Sequence, residues 1–287
     1  MVNKGTIACF FTCGYTESGG MQGFLRRINP SYEYRMCLPN KVLRKKQMKA
    51  GKPVSMIKKE YSGLTGDALI HKILEILELR QQDFQTCCAI LIEDDTDDRL
   101  HQLGKEGFLQ NQKKIAQKIK DIMKREVPVL FLDAAPEIEG WFLADWKHTF
   151  EKVYLDDAVQ GLSKNECGLY LHRLRKYIKE HVWEDIDMGI EDFYREDSFG
   201  RPVKLSDELI SAVEYQAEQC FPDKDADMLK GLRYAKSQEG ITMLRSLDYA
   251  VLLKNCRRLF QQECLALSGY GRDDGCQEGT SICGGCF

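Results

Sequence analysis

The sequence predicts an α/β protein: a mostly parallel sheet flanked by helices, with a helical C-terminal extension. Three observations predict it. Over residues 6–146, short apolar runs alternate with stretches of helical periodicity, the pattern of strands joined by crossover helices. Two of the runs, Thr86–Ile92 (TCCAILI) and Val127–Leu132 (VPVLFL), are apolar without alternation, as strands covered on both faces are. Beyond about residue 150 the strand signals fade while helical spacing continues.

The elements follow in order. Thr6–Thr12 (TIACFFT) reads as a buried strand that ends in a glycine turn at Gly14 and Gly19-Gly20. Tyr32–Leu38 alternates and is closed by Pro39, so it reads as a second strand. In Gly66–Leu79, Leu69, Ile70, Ile73, Leu74, Ile76 and Leu77 recur at helical spacing. Gln110–Arg125 sets Ile115, Ile119, Ile122 and Met123 against lysines, an amphipathic helix. Pro136–Trp146 reads as a helix with proline in its first turn. Ser163–Lys179, Ser206–Gln219 and Gly240–Phe260 read as helices, the second with Ser206 as its cap. Trp183–Arg201 is acidic and turn-rich.

The chain has 287 residues, enough for one large or two modest domains. The organisation expected is an α/β domain over 1–150, a helical extension over 151–267 and a loose Cys/Gly-rich tail over 268–287. With 41 basic and 44 acidic residues the net charge is −3, which excludes a generically basic nucleic-acid coat and leaves room for a local basic groove. No stretch reaches the ~18 apolar residues of a membrane helix, and the opening residues carry no signal-peptide pattern, so a cytoplasmic chain with no membrane partner is expected. The 12 cysteines then read as reduced thiols. Cys276 and the C-x-x-C of Cys283 and Cys286 are set among glycine and polar residues; a zinc site that includes Cys264 is the competing account of the tail, weakened because only one such pair occurs.

Acidic residues gather at strand ends. Ala89–Ile92 runs straight into Glu93-Asp94-Asp95-Thr96-Asp97-Asp98. Carboxylates packed this closely raise one another's pKa unless a cation relieves them, and ligands of open α/β sheets collect at the carboxyl ends of strands. A hard divalent ion held by oxygen is one account of this run; a solvated acidic loop is the other. The later strand ends in Asp133 and passes through Glu137-Ile138-Glu139-Gly140-Trp141 into a helix. Here metal ligation by Glu137 and Glu139 competes with simple compensation of the helix dipole. The first strand is followed by Gly14-Tyr15-Thr16-Glu17. If these strands lie side by side, the acids converge on one crevice, the arrangement of metal-assisted phosphoryl chemistry. A receiver-like phosphoacceptor domain fits less well, because its acid pair follows the first strand.

These motifs together, a glycine–acid turn after the first strand, acid-x-acid after a middle strand and E-x-E-x-W opening a later helix, resemble the TOPRIM-fold proteins of the RloB-like group, relatives of the OLD-family nucleases. The resemblance covers roughly residues 5–150, and Glu137–Ala144 is its most specific segment. It implies a TOPRIM-like sheet and a nucleic-acid-cleaving centre that uses Mg2+ or Mn2+. It also implies a role in antiphage defence and an ATPase partner subunit, which must be another chain because no P-loop motif occurs here. Residue by residue, Glu17 matches the second acid of the family's E-G-x-x-E, Glu93 and Asp95 the acid-x-acid pair with Asp97 extending it, and Glu137 and Glu139 the later helix. The implied catalytic set is Glu17, Asp95 and Glu137; the implied metal ligands are Glu17, Glu93, Asp95, Asp97 and Glu139. One departure stands out: the family's first Glu is replaced by Cys13, a poor Mg2+ ligand.

A basic strip supplies the counterpart. Lys41, Arg44, Lys45, Lys46, Lys49, Lys52, Lys58 and Lys59 occur with no acid before Glu60, and Gly51 and Pro53 point to a loop or hairpin. A docking strip for a DNA or RNA backbone and a solvated face both fit this run. The function expected is a Mg2+-dependent nuclease. The alternative, raised by Cys13, is a catalytically weakened binding or regulatory subunit. A homo-oligomer stays open.

Overall fold

The computed structural model describes residues 4–12, 14–39, 47–49, 52–54, 63–156, 162–224 and 229–271. Four strands form an all-parallel sheet: β1 (Thr6–Phe11), β2 (Glu33–Leu38), β5 (Ala89–Glu93) and β6 (Val129–Phe131), in the order β2-β1-β5-β6. Two short strands, β3 (Gln47–Lys49) and β4 (Lys52–Val54), pair antiparallel as a hairpin. The sheet is therefore flanked α/β, with helices on both faces.

Side-chain alternation along the strands divides the core in two. Ile7, Cys9, Phe11, Ala89, Leu91 and Leu130 face one layer. Ala8, Phe10, Ile90, Ile92, Val129 and Phe131 face the other, where α2 (Gly66–Leu79) and α3 (Arg99–Met123) pack. The first layer holds α1 (Tyr15–Ile28), α4 (Ile138–Ala144) and the helices that follow. These are α5 (Lys152–Asp156) after a π-helical turn (Lys147–Glu151), α6 (Lys164–His181), α7 (Leu205–Cys220), α8 (Glu239–Ser246), α9 (Tyr249–Asn255) and α10 (Phe260–Gly269). One apolar cluster runs from Ile7 on β1 to Leu267 on α10. At its middle Trp141 lies 5.7 Å from Phe24 and 5.0 Å, edge-on, from Phe260.

Several elements differ from the sequence expectation. The glycines at 19 and 20 lie inside helix α1, not in a turn. A Cβ on Gly19 would stand 2.5 Å from Ile241, and one on Gly20 2.8 Å from Leu244, so close packing of α8 outweighs their poor helix propensity. The helix expected from Pro136 begins at Ile138, with Glu137 as its cap. Helix α7 is capped by Lys204, not Ser206. The long helix expected over Gly240–Phe260 is split, because the Asp248 N–H turns away to donate to Asp145 (2.7 Å) and its side chain caps α9. Helix α3 is broken at Gly104, where φ is 64°. The last helix continues to Gly269, past the expected start of the tail at Ser268, and residues 272–287, with Cys276, Cys283 and Cys286, lie outside the described chain.

Glu191, in the acidic stretch, is buried and accepts the N–H groups of Arg258 (2.5 Å), Leu259 (3.1 Å) and Phe260 (2.9 Å). It clamps the start of α10. Because Phe260 joins that helix to Trp141 and Phe24, Phe260→Ala is expected to cost about 3–5 kcal/mol in urea denaturation. The loss should appear in one cooperative transition seen alike by tryptophan fluorescence and by circular dichroism; two separated transitions would contradict the shared core.

Candidate functional site

Parallel pairing brings the strand ends to one edge. Phe11 is in register with Glu93, and Ile92 with Phe131. The connections reverse between β1 and β5: β1 leads through α1 to β2 on one side, and β5 leads through α3 to β6 on the other. A sheet of this winding opens a crevice at the carboxyl ends of those two strands. The acids occupy it.

Glu17 enters from the first turn of α1 and is buried. Its carboxylate folds back over Gly14, where a Cβ would lie 2.0 Å from Oε2, so the glycine makes room for it. Glu93 is the last residue of β5; its Oε2 accepts the Thr12 N–H (3.1 Å), tying β5 to the end of β1. Asp95 continues the strand direction, forms a parallel bridge with Ala134, and accepts the Ile138 N–H (3.1 Å), so it holds the start of α4. Glu137 accepts the Ser206 N–H (2.8 Å) and hydroxyl (3.2 Å). Glu139 accepts the Tyr234 hydroxyl (2.8 Å) and faces Lys236 Nζ (3.3 Å).

Electrostatics shows that these groups face one another. Burial drives the Glu17 pKa up to about 7, opposed by its own backbone N–H and assisted by the charge of Glu139. Burial, then the charges of Glu17 and Asp95, hold Glu93 well above the ordinary carboxylate range. Asp95 is raised well above it by burial and then by Glu17, Glu137 and Glu139. Glu137 is raised by burial and by Glu139. Acids from the ends of β1, β5 and β6 are thus gathered in one centre.

Asp97 stands apart at its rim. It adopts a left-handed backbone (φ 48°), and its carboxylate is 3.4 Å from Lys204 Nζ, which also lies 3.8 Å from Glu137. A cleft of about 280 Å³ opens beside it, lined in part by Asp97, Glu137, Tyr194 and Lys204. Asp94 is structural: it accepts the Gly66 N–H (3.0 Å) and pairs with Arg99 (2.6 Å), joining α2, β5 and α3. His101 stacks on Tyr194 at 3.8 Å. Of the basic strip, Lys49 and Lys52 are paired positions of the β3–β4 hairpin; Lys41, Arg44, Lys45, Lys46, Lys58 and Lys59, and likewise Cys13, lie outside the described residues.

The sequence analysis missed Lys204, Ser206, Tyr234 and Lys236. All come from the helical half, more than sixty residues from the acids they meet, and no motif spacing signals them. The only available cue was that buried acids demand partners.

Among the described residues no three His, Cys, Asp or Glu side chains stand in ligating geometry around one point. The donor chemistry nevertheless suits a hard cation. Glu17 Oε2, Glu93 Oε1 and Glu139 Oε2 are buried oxygens with no hydrogen-bond partner, as are the hydroxyls of Thr12 and Thr96. Buried carboxylate oxygens left unpartnered are costly, and oxygen ligands are what Mg2+ and Mn2+ take. Comparisons of this chain with protein-family models, with curated proteins and with solved structures find no match.

A second buried acid group lies behind the first. Gln112 Nε2 donates to Asp133 (2.7 Å) and to Glu263 (2.7 Å), and Glu263 accepts the Asp133 N–H (2.6 Å). Burial, aided by the charge of Asp94, pushes Asp133 to about 7 from 3.8. The folded protein therefore holds a proton that the unfolded chain has released between about pH 4 and 7, and this contribution to stability is lost as pH rises through that window. Asp133→Asn should raise Tm more at pH 8 than at pH 5 in thermal melts; an equal gain at both would refute the assignment.

Proposed function

We propose that this chain is a Mg2+- or Mn2+-dependent nuclease on a TOPRIM-like fold, cleaving phosphodiester bonds of DNA or RNA. The observation that carries this reading is the gathering of Glu17, Glu93, Asp95, Glu137 and Glu139 at one edge of a parallel sheet, with unpartnered oxygens on three of them. The bound ion would supply Lewis-acid polarisation of the phosphate and a more acidic water. Glu17, Glu93 and Glu139 would hold it through their free oxygens, with Asp95 beside them and Asp97 at the rim.

The chain's own residues do the rest. Glu17, buried beside the other acids, completes the carboxylate cage or handles a proton. Asp95 and Glu137 are held by the Ile138 and Ser206 N–H groups and keep their carboxylates oriented toward the phosphate site. Lys204, more than half exposed, offers a cation to the phosphate from the cleft side. The Lys41–Lys59 strip would track the backbone of the polyanion. No helix among the described residues is long and apolar enough to cross a membrane. The defence role, the ATPase partner and a homo-oligomer belong to the same proposal and rest on the family resemblance.

Purified protein incubated with end-labelled DNA and with RNA, with and without Mg2+ or Mn2+, should cleave only with metal. Asp95→Asn keeps the acceptor for Ile138 but removes the charge; it should abolish cleavage with Tm unchanged or raised. Cleavage independent of metal or surviving in this variant would refute the proposal.

Cys13 favours a second reading, a binding subunit that has lost cleavage. Under it, wild type binds nucleic acid without cutting and Cys13→Glu gains metal-dependent cleavage. An active wild type whose rate is not increased by that substitution excludes it.

A further inference from the structure

The acid centre already contains a cation supplied by the chain. Lys236 Nζ lies 3.3 Å from Glu139 Oε1. Burial disfavours its charge, but the carboxylates of Glu139, Glu137 and Asp95 outweigh burial and hold its pKa above the ordinary lysine value. The ammonium thus lies closest to Glu139 of α4, with Glu137 and Asp95 next.

Its position is built from the backbone up. The Thr16 hydroxyl, one residue before Glu17, donates to the Lys236 carbonyl (2.8 Å). Three residues on, the chain enters α8 with Glu239 accepting the Ala235 N–H (3.0 Å). Gly240 lets that turn close on α1, since a Cβ there would lie 2.6 Å from the Thr16 hydroxyl. The lysine stem therefore starts from a fixed point against the first turn of α1, and its head stands nearest to Glu139.

The unpartnered oxygens divide accordingly. Glu17 Oε2 and Glu93 Oε1 belong to the β1/β5 side, and neither has a hydrogen-bond partner among the described residues. Glu139 has one oxygen shared by Tyr234 and Lys236 and one left free. Two-metal phosphodiester centres place two cations about 3.5–4 Å apart to clamp both sides of the phosphate. Here an ammonium stands 3.3 Å from one of the centre's carboxylates.

We propose that Lys236 is the built-in second cation of this centre, so that the chain takes a single divalent ion, on the Glu17–Glu93–Asp95 side, and uses the ammonium in place of another at Glu137 and Glu139. This inference rests on the metal-dependent reading above. It makes Lys236 a charge-supplying residue whose removal opens a second metal position.

Counting bound Mn2+ by electron paramagnetic resonance of the free ion, on the full chain without nucleic acid, tests it. Wild type should bind one Mn2+ per chain, Lys236→Ala two, and Lys236→Arg, which keeps the charge, one. Lys236→Gln is a second neutral variant and should also bind two; circular dichroism establishes that each variant is folded. A second ion on the wild type overturns the inference by itself, whatever the variants do. One ion on wild type and on folded Lys236→Ala also overturns it, while leaving the metal-dependent reading intact. No Mn2+ on any of them overturns that reading and this inference together.

Discussion

Mutual repulsion among buried carboxylates is the constraint on which this structure turns. Parallel pairing sends the ends of β1, β5 and β6 to the same edge, and each end carries an acid. Like charges so close, out of water, oppose folding unless each finds a donor or a proton. The surrounding architecture answers that demand. Thr12, Ile138 and Ser206 turn backbone N–H groups onto Glu93, Asp95 and Glu137, and Tyr234 and Lys236 meet Glu139. The raised pKa values of Glu17, Glu93 and Asp95 record what remains unanswered.

The anchoring is selective. Glu93, Asp95 and Glu137 are oriented by backbone N–H groups, which cannot move without moving an element, and Glu139 by Tyr234 and Lys236. The opposite oxygens of Glu17, Glu93 and Glu139 are left bare. Asp94, between Glu93 and Asp95 in sequence, points the other way and is wholly committed to Gly66 and Arg99. Asp94 thus braces helices away from the crevice, while Asp95 braces α4 from within it.

Much of this was legible in the sequence, and what was not has a physical cause. The strands were visible because apolar runs such as Thr86–Ile92 are too short for a helix and alternate with segments of helical spacing. The acids were visible because they abut strand ends. Helix α1 was hidden by Gly19 and Gly20, whose reason is the approach of α8, a contact across more than two hundred residues. Separations of more than sixty residues likewise hid Lys236 and Ser206: local pattern announces that Glu137 and Glu139 need partners, but not which segment brings them. Ser206 reads as a cap in sequence, but α7 already begins at Leu205, so Ser206 lies inside its first turn and donates its N–H and hydroxyl to Glu137.

Glu137 and Glu139 owe their orientation to residues 206, 234 and 236, and Glu191 fastens the final helix to the same core. The sheet and the helices beyond residue 150 are therefore not modular parts. Transplanting the sheet alone into another scaffold would carry a nest of negative charge stripped of its counterweights. A designer borrowing this edge would have to bring the distant lysines and serine with it, or replace each of those acids by a neutral side chain.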